Sequence, residues 1–234
     1  MAFAQWWRNR AVQLRVDSMA GLLLLLGLNV FVVPFAFAQD SAIARIARDV
    51  LLSLTLLSGL AAVSDHRGQR VIVALVAGIA ILFLGMARFL PPAWTPGLRD
   101  ETALLAQGIL GAVIGINVFA PGRVTFDRIL GAIALYVLIG VVWAEAYQLV
   151  GIHFPDAYAG IHQVDARPDR ATWVYFSFVT LTTVGYGDIT PIAHAARSLS
   201  ILEALIGQLY PAIVLARLVS LHVAADGSGD SPVE

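Results

Sequence analysis

Several residue types are missing or scarce in this chain of 234 amino acids, and each absence removes a class of function. There is no cysteine, which excludes disulfides, thiolate catalysis and cysteine-based zinc sites, and leaves the redox compartment open. There is no lysine either: all 15 basic residues are arginine, against 16 acidic ones. Without a clustered basic surface, nothing points to a nucleic-acid partner. Five histidines are scattered without ligand spacing. Charged residues make up only 13% of the chain and hydrophobic residues 59%, with a mean hydropathy of +0.78. That is more apolar surface than one soluble core can bury, and the excess needs lipid as its solvent.

A bilayer core roughly 30 Å thick takes about 20 apolar residues of helix. Six runs of that length lie between polar breaks, at Met19 to Ala38, Ile43 to Ser64, Val71 to Leu90, Thr102 to Ala120, Ile129 to Val150 and Ile192 to Val223. Open strands leave backbone groups unpaired in lipid, so the expected fold is an all-α membrane protein. The first run has a second reading as a signal peptide, because Arg8, Arg10 and Arg15 precede it and it ends in Ala36-Phe37-Ala38. The distribution of arginine over alternate loops, eight against seven, does not set an orientation.

Between the fifth and sixth runs the chain is first polar, through His153, Asp156, His162, Asp165, Arg167, Asp169 and Arg170, as in an exposed turret. It then turns apolar. The stretch Thr172 to Thr182 makes about three helical turns, roughly 16 Å, too short to span, and reads as a re-entrant half-helix. It runs straight into Thr183-Val184-Gly185-Tyr186-Gly187-Asp188.

These residue types suit a potassium ion that must shed water to enter a narrow pore. Backbone carbonyls replace the hydration shell, and alternate glycines admit the positive φ that turns successive carbonyls to one axis. The Thr183 hydroxyl adds an oxygen at the inner end, while the Val184 and Tyr186 side chains face away and brace the loop. Potassium ions at Thr183, Val184, Gly185 and Tyr186 are the expected bound species. The half-helix would point the negative end of its dipole at the central cavity. One chain supplies one loop and a closed ring needs four, so a homotetramer is expected.

The string TTVGYGD, Thr182 to Asp188, resembles the signature of the potassium channel family, and Ile129 to Val223 resembles its outer helix, pore helix, filter and inner helix. Six spans with the filter between the last two also resemble the voltage-gated architecture. The resemblance implies that the filter enters from outside the cell membrane, which leaves both termini cytoplasmic. It implies that Asp188 bonds an aromatic of the pore helix, with Tyr175 at the matching place, and that Trp173 and Phe176 belong to an aromatic cuff. It further implies that Glu145, in Trp143-Ala144-Glu145-Ala146, ties the fifth helix to the pore loop.

The chain from Pro191 reads as one long helix to about Val223, begun by proline in its first turn. Gly207 lies where related channels carry a hinge, and Pro211 follows one turn later; the alternative for Gly207 is close packing. Gln208, Ala212, Leu215 and Val219 share one face, taken as pore-lining. Glu203 is costly in lipid and must face protein or water, and the spacing to Arg197 names no partner for it.

The expected organisation is therefore a cytoplasmic N-terminus at 1–18, a four-helix scaffold resembling a voltage sensor at 19–120, a linker at 121–128, a pore domain at 129–223 and a disordered tail at 224–234. The family's fourth-span arginines are absent, since none lies between Arg99 and Arg123. Arg45 and Arg48 share a face of the second span and read as snorkelling to the interface, or as an unconventional sensor. The leading function is passive, weakly voltage-dependent potassium conduction, with the bilayer as partner, no catalysis and no evident soluble-domain partner. A potassium transporter subunit driven by a partner is the second reading. A membrane enzyme built on Glu145 and Glu203 is the third, and neither paired carboxylates nor a Ser/His set supports it.

Overall fold

The computed structural model describes residues 19–36, 42–62, 67–86, 95–120, 125–161 and 169–227. Arg8, Arg10, Arg15, Arg123, the turret residues His162, Asp165 and Arg167, and the tail from 228 lie outside those residues. Seven helices are described: α1 over residues 19–36, α2 at Ala42–Ala62, α3 at Arg67–Met86, α4 at Thr95–Val118, α5 at Phe126–His153, α6 at Arg170–Leu181 and α7 at His194–Gly227. Among the described residues one antiparallel pair, β1 at Tyr158–Ala159 and β2 at Thr190–Pro191, joins the chain before α6 to the chain after the glycine loop.

Three of the described helices hold segments long and apolar enough to cross a membrane: Glu101–Val118 in α4, all of α5, and His194–Arg217 in α7. Shorter apolar segments lie at Met19–Val32 and Val71–Phe83. The helix α2 has the length but carries Arg45, Arg48 and Asp49 in its first turns. Six spans remain the expectation from the sequence.

Several boundaries differ from that expectation for local reasons. Proline is tolerated in a first turn, so α4 starts at Thr95 and takes in Pro96, within a stretch expected to break the chain. Pro191 does not begin α7. It pairs with Tyr158, and the amides of Ile192 and Ala193 both donate to Ala157 O, at 2.7 and 3.2 Å, which holds them out of the helix. The other end of α7 runs to Gly227, so the first residues expected in a disordered tail are helical. Within α1 the turn Leu28–Val32 is π-helical, and Val33 N donates to Leu28 O, five residues back. Pro34 has no N–H and would strike the carbonyl four residues before it, and the wider turn relieves that clash.

Two apolar clusters hold the described helices together. The first joins α1 to α4 onto α5, through Leu22, Leu26, Leu56, Leu110, Ile114 and Leu138. The second surrounds α6, through Val141, Tyr147, Tyr158, Trp173 and Phe176. A polar pocket lies where α1, α2, α4 and the start of α6 meet, lined by Asn29, Arg48, Asp49, Gln107 and Arg170. Arg48 is half-buried and lines this pocket, a placement across four helices that an i, i+3 spacing does not reveal. The Arg45 side chain lies outside the described residues.

Candidate functional site

The half-helix α6 is a buried prop. Its N-cap is Asp169, whose carboxylate accepts from Thr172 N at 2.8 Å and Thr172 Oγ1 at 2.6 Å, satisfying one of the open donors of a first turn. Arg170, the next residue, pairs with Glu145 of α5, and Arg170 Nη2 reaches Asn29 Oδ1 of α1 at 3.5 Å. Glu145 is 1% exposed, so the pair fixes the start of α6 to the buried side of α5. Trp173 is buried against Tyr158, with ring centroids 5.0 Å apart, and Phe176 against Tyr147 at 4.7 Å.

From α6 the chain turns directly into the loop. Thr182 N donates to Phe178 O at 3.0 Å and Thr182 Oγ1 to the same carbonyl at 2.6 Å. Thr183 N donates to Thr180 O at 2.9 Å, and Val184 N to Val179 O at 3.0 Å. Thr183, Gly185 and Gly187 have φ of +58°, +57° and +79°. A positive φ at every second residue reverses the usual alternation of an extended chain and turns successive carbonyls to one side. Glycine takes this conformation freely, whereas for a β-branched threonine it is a strained outlier. The glycine spacing foretold two of these three positions and missed Thr183.

Beyond the loop, Tyr175 Oη donates to Asp188 Oδ2 at 2.7 Å, the bond that the resemblance implied. That bond is the largest influence on both groups, holding the Asp188 carboxyl below its ordinary 3.8 and pushing the Tyr175 hydroxyl up to about 12. The Tyr175 ring also lies parallel to that of Tyr186, centroids 6.4 Å apart. Behind Asp188 stands Gly160, with φ +84°, where a Cβ would sit 1.7 Å from Asp188 O. No motif in the sequence singled out Gly160.

In the single chain the loop is bare. Val184 is 53% exposed and Tyr186 70%, and a Cβ on Gly185 or Gly187 would meet nothing within 4 Å. The face of α7 carrying Gln208, Ala212 and Leu215 is exposed as well, while the Val219 side chain lies outside the described residues. Gly207 faces inward, where a Cβ would fall 1.8 Å from Leu181 O, so α7 crosses directly over the end of α6. Pro211 lies within α7 one turn later. Glu203 is fully buried and bonded to Tyr147 and Ser177, partners that no sequence spacing revealed.

Long apolar helices around a propped half-helix and an exposed glycine loop define a class, and comparison with known proteins agrees with it. Residues 131–223 match a protein-family model described as an ion channel. The matched residues take in most of α5, α6, the glycine loop and most of α7, and the long apolar helices support a multi-pass membrane protein. It is 41% identical over 86 residues to the two pore potassium channel c of Oryza sativa subsp. japonica, across 36% of this chain and 19% of that protein. It is 28% identical over 123 residues to protein LctB of Bacillus caldotenax, across 50% of this chain and 90% of that protein. Protein LctB of Geobacillus stearothermophilus is 46% identical over 46 residues, 20% of this chain and 34% of that protein. The chain thus spans about a fifth of the rice protein and about a third of the Geobacillus one.

Proposed function

We propose that four copies of this chain assemble around one axis into a potassium-selective channel of the cell membrane, with Thr183 to Gly187 as its filter. The observation that carries this reading is the positive φ at Thr183, Gly185 and Gly187, which gives the loop one row of carbonyls able to replace the water around a dehydrated cation. Four rows close the coordination shell. The bare Val184 and Tyr186 side chains and the exposed face of α7 supply the surface for neighbouring subunits. Under this reading Tyr175, Asp188, Trp173, Thr182 and Glu145 support the filter. Gln208, Ala212, Leu215 and Val219 line the inner pore, Gly207 and Pro211 bend it, and six spans leave both termini cytoplasmic. Conduction is passive and weakly dependent on voltage.

The direct test uses purified protein in liposomes, with Gly185→Ala and Tyr186→Val beside the parent sequence. Each variant alters carbonyl geometry at an internal position, so the tetramer should survive while potassium loses its advantage over sodium. Unchanged selectivity in both variants would overturn the assignment. A transporter subunit would instead show potassium uptake only with a partner present.

A further inference from the structure

Glu203 stands on α7 with no exposure to solvent, between α5 and the half-helix. Three oxygen contacts surround it. Tyr147 Oη lies 2.5 Å from Glu203 Oε2, Ser177 Oγ lies 2.5 Å from Glu203 Oε1, and Ser177 Oγ also lies 2.7 Å from the Gly140 carbonyl on α5. All three are within hydrogen-bond range, and each needs one proton. Two hydroxyls bring two protons. If Glu203 were a carboxylate, Ser177 would have to serve two acceptors with one hydrogen, leaving two oxygens in unbonded contact. A proton on Glu203 Oε1 completes the set. It donates to Ser177, Ser177 donates to Gly140 O, and Tyr147 donates to Oε2.

The surroundings agree. The side-chain groups bonded to the carboxyl are Tyr147 Oη of α5 and Ser177 Oγ of α6, both uncharged. Among the described residues no cationic side chain bonds Glu203: Arg170 pairs with Glu145, Arg197 Nε donates to Pro191 O, and Arg217 donates to Ala120 O. An ionised carboxylate buried without a counter-charge is strongly disfavoured, whereas a neutral acid needs only the three hydrogen bonds present.

The geometry points to Glu203 as a neutral carboxylic acid that positions the half-helix, locking α6 to both α5 and α7 one turn before Gly207 meets Leu181 O. Its proton state is independent of the proposed channel activity, and only its effect on conduction rests on that reading. The full-length protein in liposomes tests both at neutral pH. Infrared spectra of the parent should show a protonated-carboxyl C=O band that Glu203→Gln removes. Tyr147→Phe should shift that band to higher frequency, because it takes the donor from the carbonyl oxygen. No difference between the parent and Glu203→Gln, or no shift in Tyr147→Phe, would overturn the assignment.

Potassium flux tests the positioning role. Gln reproduces the pattern of the neutral acid, its amide donating to Ser177 and its oxygen accepting from Tyr147, so Glu203→Gln should retain flux and Glu203→Leu should lose it. Loss of flux in Glu203→Gln equal to that in Glu203→Leu would overturn the role. A parent protein that carries no potassium but shows the band would count against the channel and leave the protonated acid standing.

Discussion

Asp188 and Tyr175 show how far one hydrogen bond extends a working pH range. Because the bond lowers the acid's pKa, the sign is fixed: its contribution is complete above the ordinary carboxyl value of 3.8 and is lost as pH falls through the lower bound value. Under the channel reading, mild external acidification should therefore leave the mouth of the loop intact. Conductance measured against external pH should fall only below about 3.8, and Tyr175→Phe should move that fall to higher pH. A parent protein that already loses conductance near neutral pH would show that another group controls the mouth. Glu145 and Arg170 set a second residue-scale expectation. Removing one member of a buried pair costs about 3–5 kcal/mol, so Glu145→Ala should lower the temperature at which the protein unfolds.

At the scale of elements, Gly207 has two opposed roles that stability can separate. If it serves only as a flexible point in α7, replacement by alanine should stabilise the helix by about 0.5–1 kcal/mol. The contact with Leu181 O predicts the reverse. A Cβ there meets backbone, which cannot rotate aside, and the overpacking should cost about 1–3 kcal/mol or more. Thermal dissociation of Gly207→Ala gives the sign.

The glycine was legible in the sequence, and so was the half-helix with its loop, because both follow from local patterns: small residues at fixed places, and an apolar run too short to span. Much of the rest depends on contacts between distant parts of the chain. Tyr147 with Glu203 are 56 residues apart and Ser177 with Glu203 26, and neither separation follows a helical period. Gly160 is required by the approach of Asp188 O, and Thr183 adopts a conformation its residue type disfavours because α6 and the loop hold it there. The start of α7 depends on a distant contact too, since Ala157 O, just before β1, accepts from both amides after Pro191.

For the molecule as a whole, the membrane segment of α4, Glu101–Val118, carries Glu101 at its edge and no arginine. Moving one charge through 100 mV is worth about 2.3 kcal/mol, so steep gating needs several charges that cross the field. The half-buried Arg48, set among Asp49, Asn29, Gln107 and Arg170, is built into the join between the first helices and α6. The first four helices are accordingly expected to act as a scaffold. Steady-state conductance should vary little across roughly ±150 mV, where a sigmoid equivalent to several moving charges would refute the scaffold reading.

A ring of four such loops would conduct potassium and reject sodium. Purified protein in a planar bilayer, with potassium on one side and sodium on the other, tests it through the reversal potential. The reversal potential should be displaced far toward the potassium equilibrium value and should follow it as the potassium concentration is changed. A reversal potential near zero at equal concentrations of the two ions would contradict it.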